Sequence, residues 1–342
     1  MSNEKTTPIS ELGEFGLIEH LTKNFSTKNS STKKSIGDDA AVLDYGTKKT
    51  VITTDLLAEG IHFDLMYMPL KHLGYKSIVV NLSDVYAMNA KPKQVLVSLA
   101  LSSRFTVEAV SEIYAGIEHA CNVYGVDLIG GDTTSSQSGL VISVTAIGEA
   151  DEENIVYRNG AKPGDLICVT GDLGAAFLGL QILEREKRIW LEHPGVQPEL
   201  GNEYLIQRQL KPEARKDIIE LFEELNLKPT AMLDVSDGIA SDLKHLCKQS
   251  NVGCEINEAT VPIAETTYNT ALELNFDPIV CALNGGEDYE LLFTISPEDE
   301  TKLTNETEIS VIGIITQNAN ETILKTKSGN YHNITAQGWK HF

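Results

Sequence analysis

The sequence predicts an α/β protein of the α+β type, with two domains whose mixed sheets are covered by helices. The chain has 342 residues, 42% of them hydrophobic, which is enough for two cores of about 150 residues each. Segments with the two-residue period of strands and segments with helical period follow one another in both halves. A polar, acidic run at Glu149–Asn154 precedes a turn-rich stretch. We therefore expect domains at 1–150 and 151–342.

The first half begins with a short polar tail, followed by a brief predicted helix at Glu11–Leu21 and a Ser/Thr/Lys/Asn-rich surface loop at Thr22–Ser35. The β-branched Thr50–Thr54 and the alternating Gln94–Leu101 predict strands. Between them, apolar residues recur at helical spacing from Tyr75 to Tyr86. Further predicted elements are a helix from the N-cap Thr106 to Gly125 and strands near Val126–Ile129 and Leu140–Ile147.

The second half opens with a predicted strand at Leu166–Thr170, directly after the turn residues of Gly160–Asp165. Its other predicted elements are helices near Ala175–Arg188, Pro212–Leu225 and Ile239–Gln249, and strands near Ile279–Leu283, Tyr289–Ile295 and Ile309–Ile315. This order of helices and strands favours an open sheet covered by helices.

Charge and cysteine usage exclude several classes of protein. With 28 basic and 49 acidic residues, the net charge is −21, which repels phosphodiester backbones and anionic membranes. We therefore expect neither nucleic acid nor a membrane as a partner. The five cysteines form no CxxC pair, so we interpret them as buried thiols of a reducing compartment. The start of the chain lacks a signal-peptide core, and we expect a cytoplasmic protein.

Acidic residues recur where apolar runs end or turn. The group comprises Asp38, Asp39, Asp55, Asp84, Asp132, Asp234, Asp237, Glu287 and Asp288. Any one of them is also typical of a turn or a helix cap, and Asp237 is placed to cap the helix that begins near Ile239. Their number favours ligand binding at strand ends. The eight histidines show no metal-binding spacing, so the oxygen donors indicate Mg²⁺ rather than zinc.

Glycine-rich segments offer close backbone approach to a phosphate group. They are Gly130-Gly131, Gly171–Gly174 and Gly285-Gly286. The sequence contains no P-loop, no protein-kinase His-Arg-Asp loop and no strand-borne G-x-G-x-x-G fingerprint. The usual nucleotide-binding folds are therefore disfavoured.

Seven runs of residues together resemble the thiamine-monophosphate kinase family, and they follow that family's order from about residue 12 onward. They are Ile36–Val42, Thr53–Phe63, Asn81–Asp84, Gly130–Thr134, Arg158–Asp165, Asp234–Gly238 and Gly285–Leu291. The resemblance implies a fold like that of aminoimidazole ribonucleotide synthetase and a homodimer whose N-terminal sheets join across the two-fold axis. It also implies the Mg²⁺-dependent reaction of ATP with thiamine monophosphate, giving ADP and thiamine diphosphate.

The resemblance implies a role for individual positions. Metal-binding positions are Asp39, Thr53, Thr54, Asp55, Asp84, Asp132, Asp234 and Asp237. ATP-binding positions are Asp39, Tyr114, Gly131, Asp132, Arg158 and Ser236. Substrate-binding positions are His62, Glu287 and Trp339. No side chain is expected to act as a catalytic nucleophile or base, since the metals assist a direct transfer. Three of these residues also have a structural interpretation. Arg158 could be a solvated loop residue, His62 a structural histidine and Trp339 an anchor of the tail.

Rival functions come from the same superfamily and from outside enzymology. Selenophosphate synthetase requires a reactive Cys or selenocysteine near the start, but no Cys precedes Cys121, and a hydrogenase-maturation relative requires a C-terminal Cys, whereas the chain ends His341-Phe342. Aminoimidazole ribonucleotide synthetase is the nearest enzymatic alternative. A non-catalytic nucleotide or Mg²⁺ sensor is the other, although the complete metal motifs favour an enzyme. The segment Lys187–Glu203 carries no family motif and leaves the rim of the site open.

Overall fold

The computed structural model describes residues 32–34, 38–44, 46–319 and 321–336. The first half forms a six-stranded sheet in the order β1-β2-β3-β6-β4-β5. Its strands are β1 (Thr32–Lys34), β2 (Ala41–Asp44), β3 (Lys49–Ala58), β4 (Lys91–Leu101), β5 (Asp127–Ser135) and β6 (Val141–Ala150). All neighbours are antiparallel except β4 and β5. The strand β5 lies at one edge of the sheet.

Two helices of the first half pack against each other, α1 (Leu70–Ala87) and α2 (Val107–Tyr124). As predicted, α2 begins after Thr106, whose side chain accepts a hydrogen bond from the Ala109 N–H at 3.3 Å, and ends at the left-handed Gly125. The helices cross closely because of two glycines. A Cβ atom at Gly74 or Gly116 would lie 1.9 Å from a backbone oxygen of the other helix, so the crossing admits no larger residue without a shift.

The second half forms a seven-stranded sheet in the order β13-β12-β9-β11-β7-β10-β8. Its strands are β7 (Leu166–Thr170), β8 (Ala231–Asp234), β9 (Gly253–Asn257), β10 (Leu291–Ile295), β11 (Ile309–Thr316), β12 (Thr322–Lys325) and β13 (Tyr331–Asn333). Its helices are α3 (Ala175–Glu192), α4 (Glu203–Leu210), α5 (Lys216–Glu224), α6 (Ile239–Ser250), α7 (Glu265–Glu273) and α8 (Pro278–Asn284). Short 3₁₀ turns lie at Glu152–Asn154, Glu258–Thr260 and Pro297–Leu303.

Helix α1 lies between the two halves of the molecule. It contacts β3, β4 and β6 of the first sheet and β8 of the second. One cluster of buried apolar side chains runs from Leu82 on α1 to Val144 on β6 and to Met232 and Phe293 in the second sheet. Polar side chains of α1 are also buried, since Ser77 and Asn81, which lie on one face of the helix, are at most 1% exposed. That face points into the protein rather than to solvent.

Several predicted elements differ from the observed ones. The predicted strand Ile279–Leu283 is wrong, because Pro278 opens helix α8 there and the Asp277 side chain accepts a hydrogen bond from the Ile279 N–H. The predicted helix Pro212–Leu225 begins only at Lys216. The predicted loop Thr22–Ser35 contains β1. Elements absent from the sequence prediction are α4, α7, β2, β8, β9, β12 and β13. The predicted helix Glu11–Leu21 lies outside the described residues.

All five cysteines are free and buried, which confirms their interpretation as core residues. None of the described helices combines the length and the apolar character needed to span a bilayer.

Candidate active site

A cleft of about 610 Å³ lies between the two halves. Its walls come from the end of β3, the following loop, helices α1 and α3, and the two turns after β8 and α8. Eleven of the residues assigned to the site from the sequence line it: Asp39, Thr53, Thr54, Asp55, His62, Asp84, Arg158, Asp234, Ser236, Asp237 and Glu287. Residues as far apart in the sequence as Asp39 and Glu287, 248 positions, thus converge on one cleft.

Three carboxylates at the wall of the cleft form a compact cluster. Asp39, Asp84 and Asp234 each present one oxygen atom, and these atoms lie within 4.8 Å of one another. The three residues come from the turn before β2, from α1 and from the end of β8. The cluster therefore depends on both halves of the chain.

Helix α1 orients the carboxylates and the end of β3 through hydrogen bonds. The Thr53 hydroxyl donates to Asp84 Oδ2 at 2.6 Å, and the Asp55 N–H donates to Asn81 Oδ1 at 3.0 Å. The Ser83 hydroxyl donates to Asp234 Oδ2 at 2.7 Å and so joins α1 to the second sheet. Because β3 is extended, Thr53 and Asp55 share one face of the strand, and that face meets α1.

Arg158 supplies a fixed positive charge beside the cluster. Its Nε donates to Asp39 Oδ2 at 2.9 Å, and its Nη2 donates to Asp39 Oδ1, so the guanidinium holds the carboxylate with two parallel bonds. Asp38 lies 3.6 Å from Arg158 Nε and 3.4 Å from Lys34 Nζ. Arg158 is mostly buried, with 18% of its side chain exposed, which makes the reading as a solvated loop residue wrong.

The acidic groups repel one another in the absence of a cation. Burial raises the pKa of Asp234 to about 7, and the neighbouring Asp39 charge contributes to the rise. Burial raises the pKa of Asp84 well above 3.8, and the charges of Asp55 and Asp234 add to it. Burial and Asp39 raise the pKa of Asp38 to about 6. A bound divalent cation would relieve this repulsion.

The donor set fits magnesium. Oxygen atoms of carboxylates and threonine hydroxyls are the ligands that hard cations prefer, and the described residues of the cluster include neither His nor Cys. The raised pKa values of Asp84 and Asp234 mark carboxylates whose charge has no full compensation from the protein. Asp39, Asp84 and Asp234 are therefore the residues best placed to hold a cation.

His62 and Glu287 also line the cleft. His62 Nδ1 accepts a hydrogen bond from the Ala58 N–H at 3.0 Å, which fixes the ring at the end of β3. Glu287 has a positive φ of 58° and its N–H donates to the Ser236 carbonyl at 2.8 Å. Its carboxylate contacts the buried Lys76, a residue that the sequence interpretation did not single out. The available signal was a lysine beside Tyr75 and Ile78, which belong to the apolar residues that predicted the helix.

Three assigned residues lie away from the cleft of their own chain. Gly131 and Asp132 are exposed on the edge strand β5, and Asp132 Oδ1 accepts from the Thr133 N–H at 2.8 Å. Tyr114 packs on the outer part of the core from α2. Trp339 lies outside the described residues. The roles of these four residues, like those of the eleven that line the cleft, stay predictions.

The two mixed sheets with a carboxylate cleft between them define a class of protein. A family model described as AIR synthase related protein, N-terminal domain, matches residues 37–150, and one described as AIR synthase related protein, C-terminal domain, matches residues 162–325. The chain is therefore an AIR synthase related protein, and the predicted fold class is confirmed.

Comparison with known proteins narrows this class. The thiamine-monophosphate kinase of Aquifex aeolicus (strain VF5) is 36% identical over 334 residues, 98% of this chain and 99% of the relative. That of Bacillus subtilis (strain 168) is 35% identical over 341 residues, 97% of this chain and 100% of the relative. A solved structure of AaThiL complexed with AMPPCP and TMP has a TM-score of 0.84 and 35% identity, covering 98% and 99% of the two chains. The chain belongs to the thiamine-monophosphate kinase family.

Proposed function

We propose that this protein transfers the γ-phosphate of ATP to thiamine monophosphate in a direct, in-line step that requires several Mg²⁺ ions, giving ADP and thiamine diphosphate. The observation that carries the proposal is the meeting of Asp39, Asp84 and Asp234 at the wall of a cleft between the halves. The relatives named above and the complex of AaThiL with AMPPCP and TMP support it.

The proposed metal and nucleotide contacts are those that the family resemblance implies, and the carboxylate cluster supports Asp39, Asp84 and Asp234 among them. The proposed metal ligands are Asp39, Thr53, Thr54, Asp55, Asp84, Asp132, Asp234 and Asp237. The proposed ATP contacts are Asp39, Tyr114, Gly131, Asp132, Arg158 and Ser236. Magnesium bound there would neutralise charge on the β- and γ-phosphates of ATP. Arg158 adds a guanidinium that Asp39 holds in a fixed orientation, which suits it to attract a phosphate group.

The acceptor end of the cleft is assigned to His62 and Glu287, with Trp339 as the third proposed substrate contact. Thiamine monophosphate carries a cationic thiazolium ring and an aminopyrimidine, and the Glu287 carboxylate in the cleft wall suits both. The attacking oxygen belongs to a phosphate ester whose second pKa is about 6. It is largely ionised at neutral pH, so the transfer needs no side-chain base.

We also propose that the protein is a homodimer joined through β5. All nine residues of this edge strand are exposed, and they include the apolar Leu128 and Ile129, 41% and 56% exposed. An exposed apolar edge strand is normally covered in a folded protein. A second copy on β5 would also bring Gly131 and Asp132 beside another chain, which supports their assignment to the site. Sedimentation of the purified protein tests this proposal, and a monomer at micromolar concentration would contradict it.

The domain division at 1–150 and 151–342 and the cytoplasmic location complete the proposal. The division places the cluster residues Asp39 and Asp84 in one domain and Asp234 in the other, and the cleft between them.

A coupled assay of ADP release tests the function. We expect release with thiamine monophosphate and MgCl₂, and none with EDTA or with unphosphorylated thiamine. Formylglycinamidine ribonucleotide serves as the parallel acceptor, because release with it alone would indicate an aminoimidazole ribonucleotide synthetase. Binding of ATP without turnover of any acceptor would indicate a nucleotide sensor.

A further inference from the structure

Lys76 is a lysine in the interior of the protein. It lies in the middle of α1, between Tyr75 and Ser77, and is 1% exposed. An ammonium group withdrawn from water destabilises a fold unless it is paired and hydrogen-bonded. A lysine is therefore an unfavourable choice at this position for packing alone, and its contacts have to explain it.

The Lys76 ammonium makes two contacts in the second half of the molecule. Its Nζ lies 3.0 Å from Glu287 Oε1 and donates to the backbone carbonyl of Gln209 at 3.0 Å. Glu287 follows the Gly285-Gly286 turn, and Gln209 lies on α4. Lys76 thus links the helix that carries Asp84 to the segment that carries Glu287.

Gln209 holds the other oxygen of the same carboxylate. Its Nε2 donates to Glu287 Oε2 at 2.7 Å. Gln209 is 4% exposed, and its own Oε1 has no hydrogen-bond partner among the described residues. A buried amide that leaves one oxygen unsatisfied is costly. The hydrogen bond from Gln209 Nε2 to Glu287 offsets part of that cost.

The Glu287 carboxylate is thereby held at both oxygens while it still reaches the cleft. Its side chain remains 30% exposed and lines the cleft wall. Its backbone is also fixed, because the N–H donates to Ser236 and φ is 58°. A carboxylate that the protein holds through both oxygens, and that is still exposed to the cleft, is suited to contact a ligand at a fixed position.

We propose that Lys76 is a positioning residue for substrate recognition, which holds the Glu287 carboxylate oriented toward the cationic, amino-bearing rings of the acceptor. This inference rests on the proposed function, in which Glu287 contacts thiamine monophosphate. The alternative is that Lys76 is purely structural and only joins α1 to α4 through the Gln209 carbonyl. In that case its replacement changes KM for the acceptor no more than KM for ATP.

The kinetic test compares Lys76→Met and Lys76→Arg with wild type. We expect Lys76→Met to raise KM for thiamine monophosphate about ten-fold, with kcat and KM for ATP close to wild type, because an interaction made equally in ground and transition state affects KM alone. Lys76→Arg restores most of the affinity since it keeps the charge. The matched control is Lys71→Met, which removes an exposed lysine from the same helix and leaves all constants unchanged.

A double-mutant cycle with Glu287→Gln tests whether Lys76 acts through Glu287. We expect Lys76→Met to raise KM little further once Glu287 is Gln. The proposal would be overturned if the two substitutions changed KM independently, so that their effects multiply. It would also be overturned if Lys76→Met left KM unchanged, or if it weakened the apparent affinity for ATP as much as that for the acceptor. If Lys76→Met does not fold, Lys76→Arg and the double variant, which buries no lone charge, decide the outcome.

A substrate-free measurement separates this inference from the proposed function. Thermal unfolding of the same variants should show non-additive changes in Tm. Lys76→Met leaves Glu287 without its cation, whereas the double variant removes both charges, so the second substitution should cost less than it does alone. Should wild type fail to phosphorylate thiamine monophosphate, the proposed function is wrong while this coupling still reports on the pair. Additive changes in Tm would refute the Lys76–Glu287 link itself.

Discussion

Replacing Asp234 by Asn should stabilise the protein in the absence of metal while it removes a proposed metal ligand. Asp234 is 4% exposed and accepts a hydrogen bond from Ser83, which an Asn oxygen can also accept. The variant therefore keeps the shape and the contact but not the charge. Because the charge sits beside Asp39 and Asp84, its loss relieves repulsion in the cluster.

The magnitude follows from the pKa of Asp234, which burial and Asp39 raise from 3.8 to about 7. The folded state binds the proton more tightly than the unfolded state, so the free energy of unfolding falls as pH rises from about 4 to about 7. The full difference corresponds to about 4 kcal/mol, since one pH unit is worth 1.36 kcal/mol. Asp234→Asn does not lose this stability as pH rises. Its free energy of unfolding should therefore exceed that of wild type by as much as about 4 kcal/mol at pH 8, and by little at pH 4.

The assay is urea unfolding at pH 4 and pH 8, with EDTA or with MgCl₂. Magnesium at about 100 times its Kd should stabilise wild type by about 2.7 kcal/mol and the variant by less. The exposed Asp151, whose side chain makes no cap hydrogen bond, supplies the control Asp151→Asn, which should follow wild type throughout. A variant less stable than wild type in EDTA at pH 8, or equal stabilisation of both by magnesium, would refute the reasoning.

Three further predictions concern activity and the fold. Asp55→Asn and Asp237→Asn should each abolish ADP release with circular dichroism unchanged, and wild-type turnover in both would contradict their role as metal ligands. Arg158→Lys keeps the charge but not the two parallel bonds to Asp39, so kcat/KM should fall about ten-fold or more; unchanged kinetics would show that the planar fork is not needed. Thr106→Ala removes the N-cap of α2 and should lower stability by about 1 kcal/mol without affecting turnover, as unfolding and steady-state assays can check.

The elements that the sequence predicted well carry their own local signals. Helix α2 has a capping threonine and a terminating Gly125, and β7 follows a turn and matches its predicted range Leu166–Thr170. The predicted strand Ile279–Leu283 failed because a short apolar run is compatible with helix or strand. The Asp-Pro pair at its start, a helix-opening signal, decides the matter in favour of α8.

The missed elements depend on contacts that only the folded chain supplies. Strand β8 has just four residues, all buried, and follows the loop after α5. Its pairing with β10 fixes it in the second sheet. Helix α4 is similarly short, with eight residues, and packs against α3. Short segments have too few periodic positions to reveal their structure, and tertiary packing determines them.

The site shows the same division between local motif and tertiary contact. Short motifs at strand ends identified the carboxylates, and eleven of the assigned residues line one cleft. Lys76 and Gln209 belong to no such motif, because their relevance arises from contacts with Glu287, about 211 and 78 positions further along the chain. The location of Gly131 and Asp132 on an edge strand was likewise not readable from their motif.

Helix α1 explains why the halves and the site are assembled together. Lys76 and Ser83 are seven residues apart and therefore lie on the same face of the helix, and both contact the second half, at Glu287 and Asp234. Asn81 and Asp84 project from a neighbouring face and contact the end of β3. Any rotation of the second half about α1 would alter the distances from Asp234 and Glu287 to the proposed metal ligands of the first half. The burial of α1 between both sheets opposes such a rotation, so the packing that stabilises the fold also fixes the distance between Glu287, the proposed acceptor contact, and the carboxylate cluster.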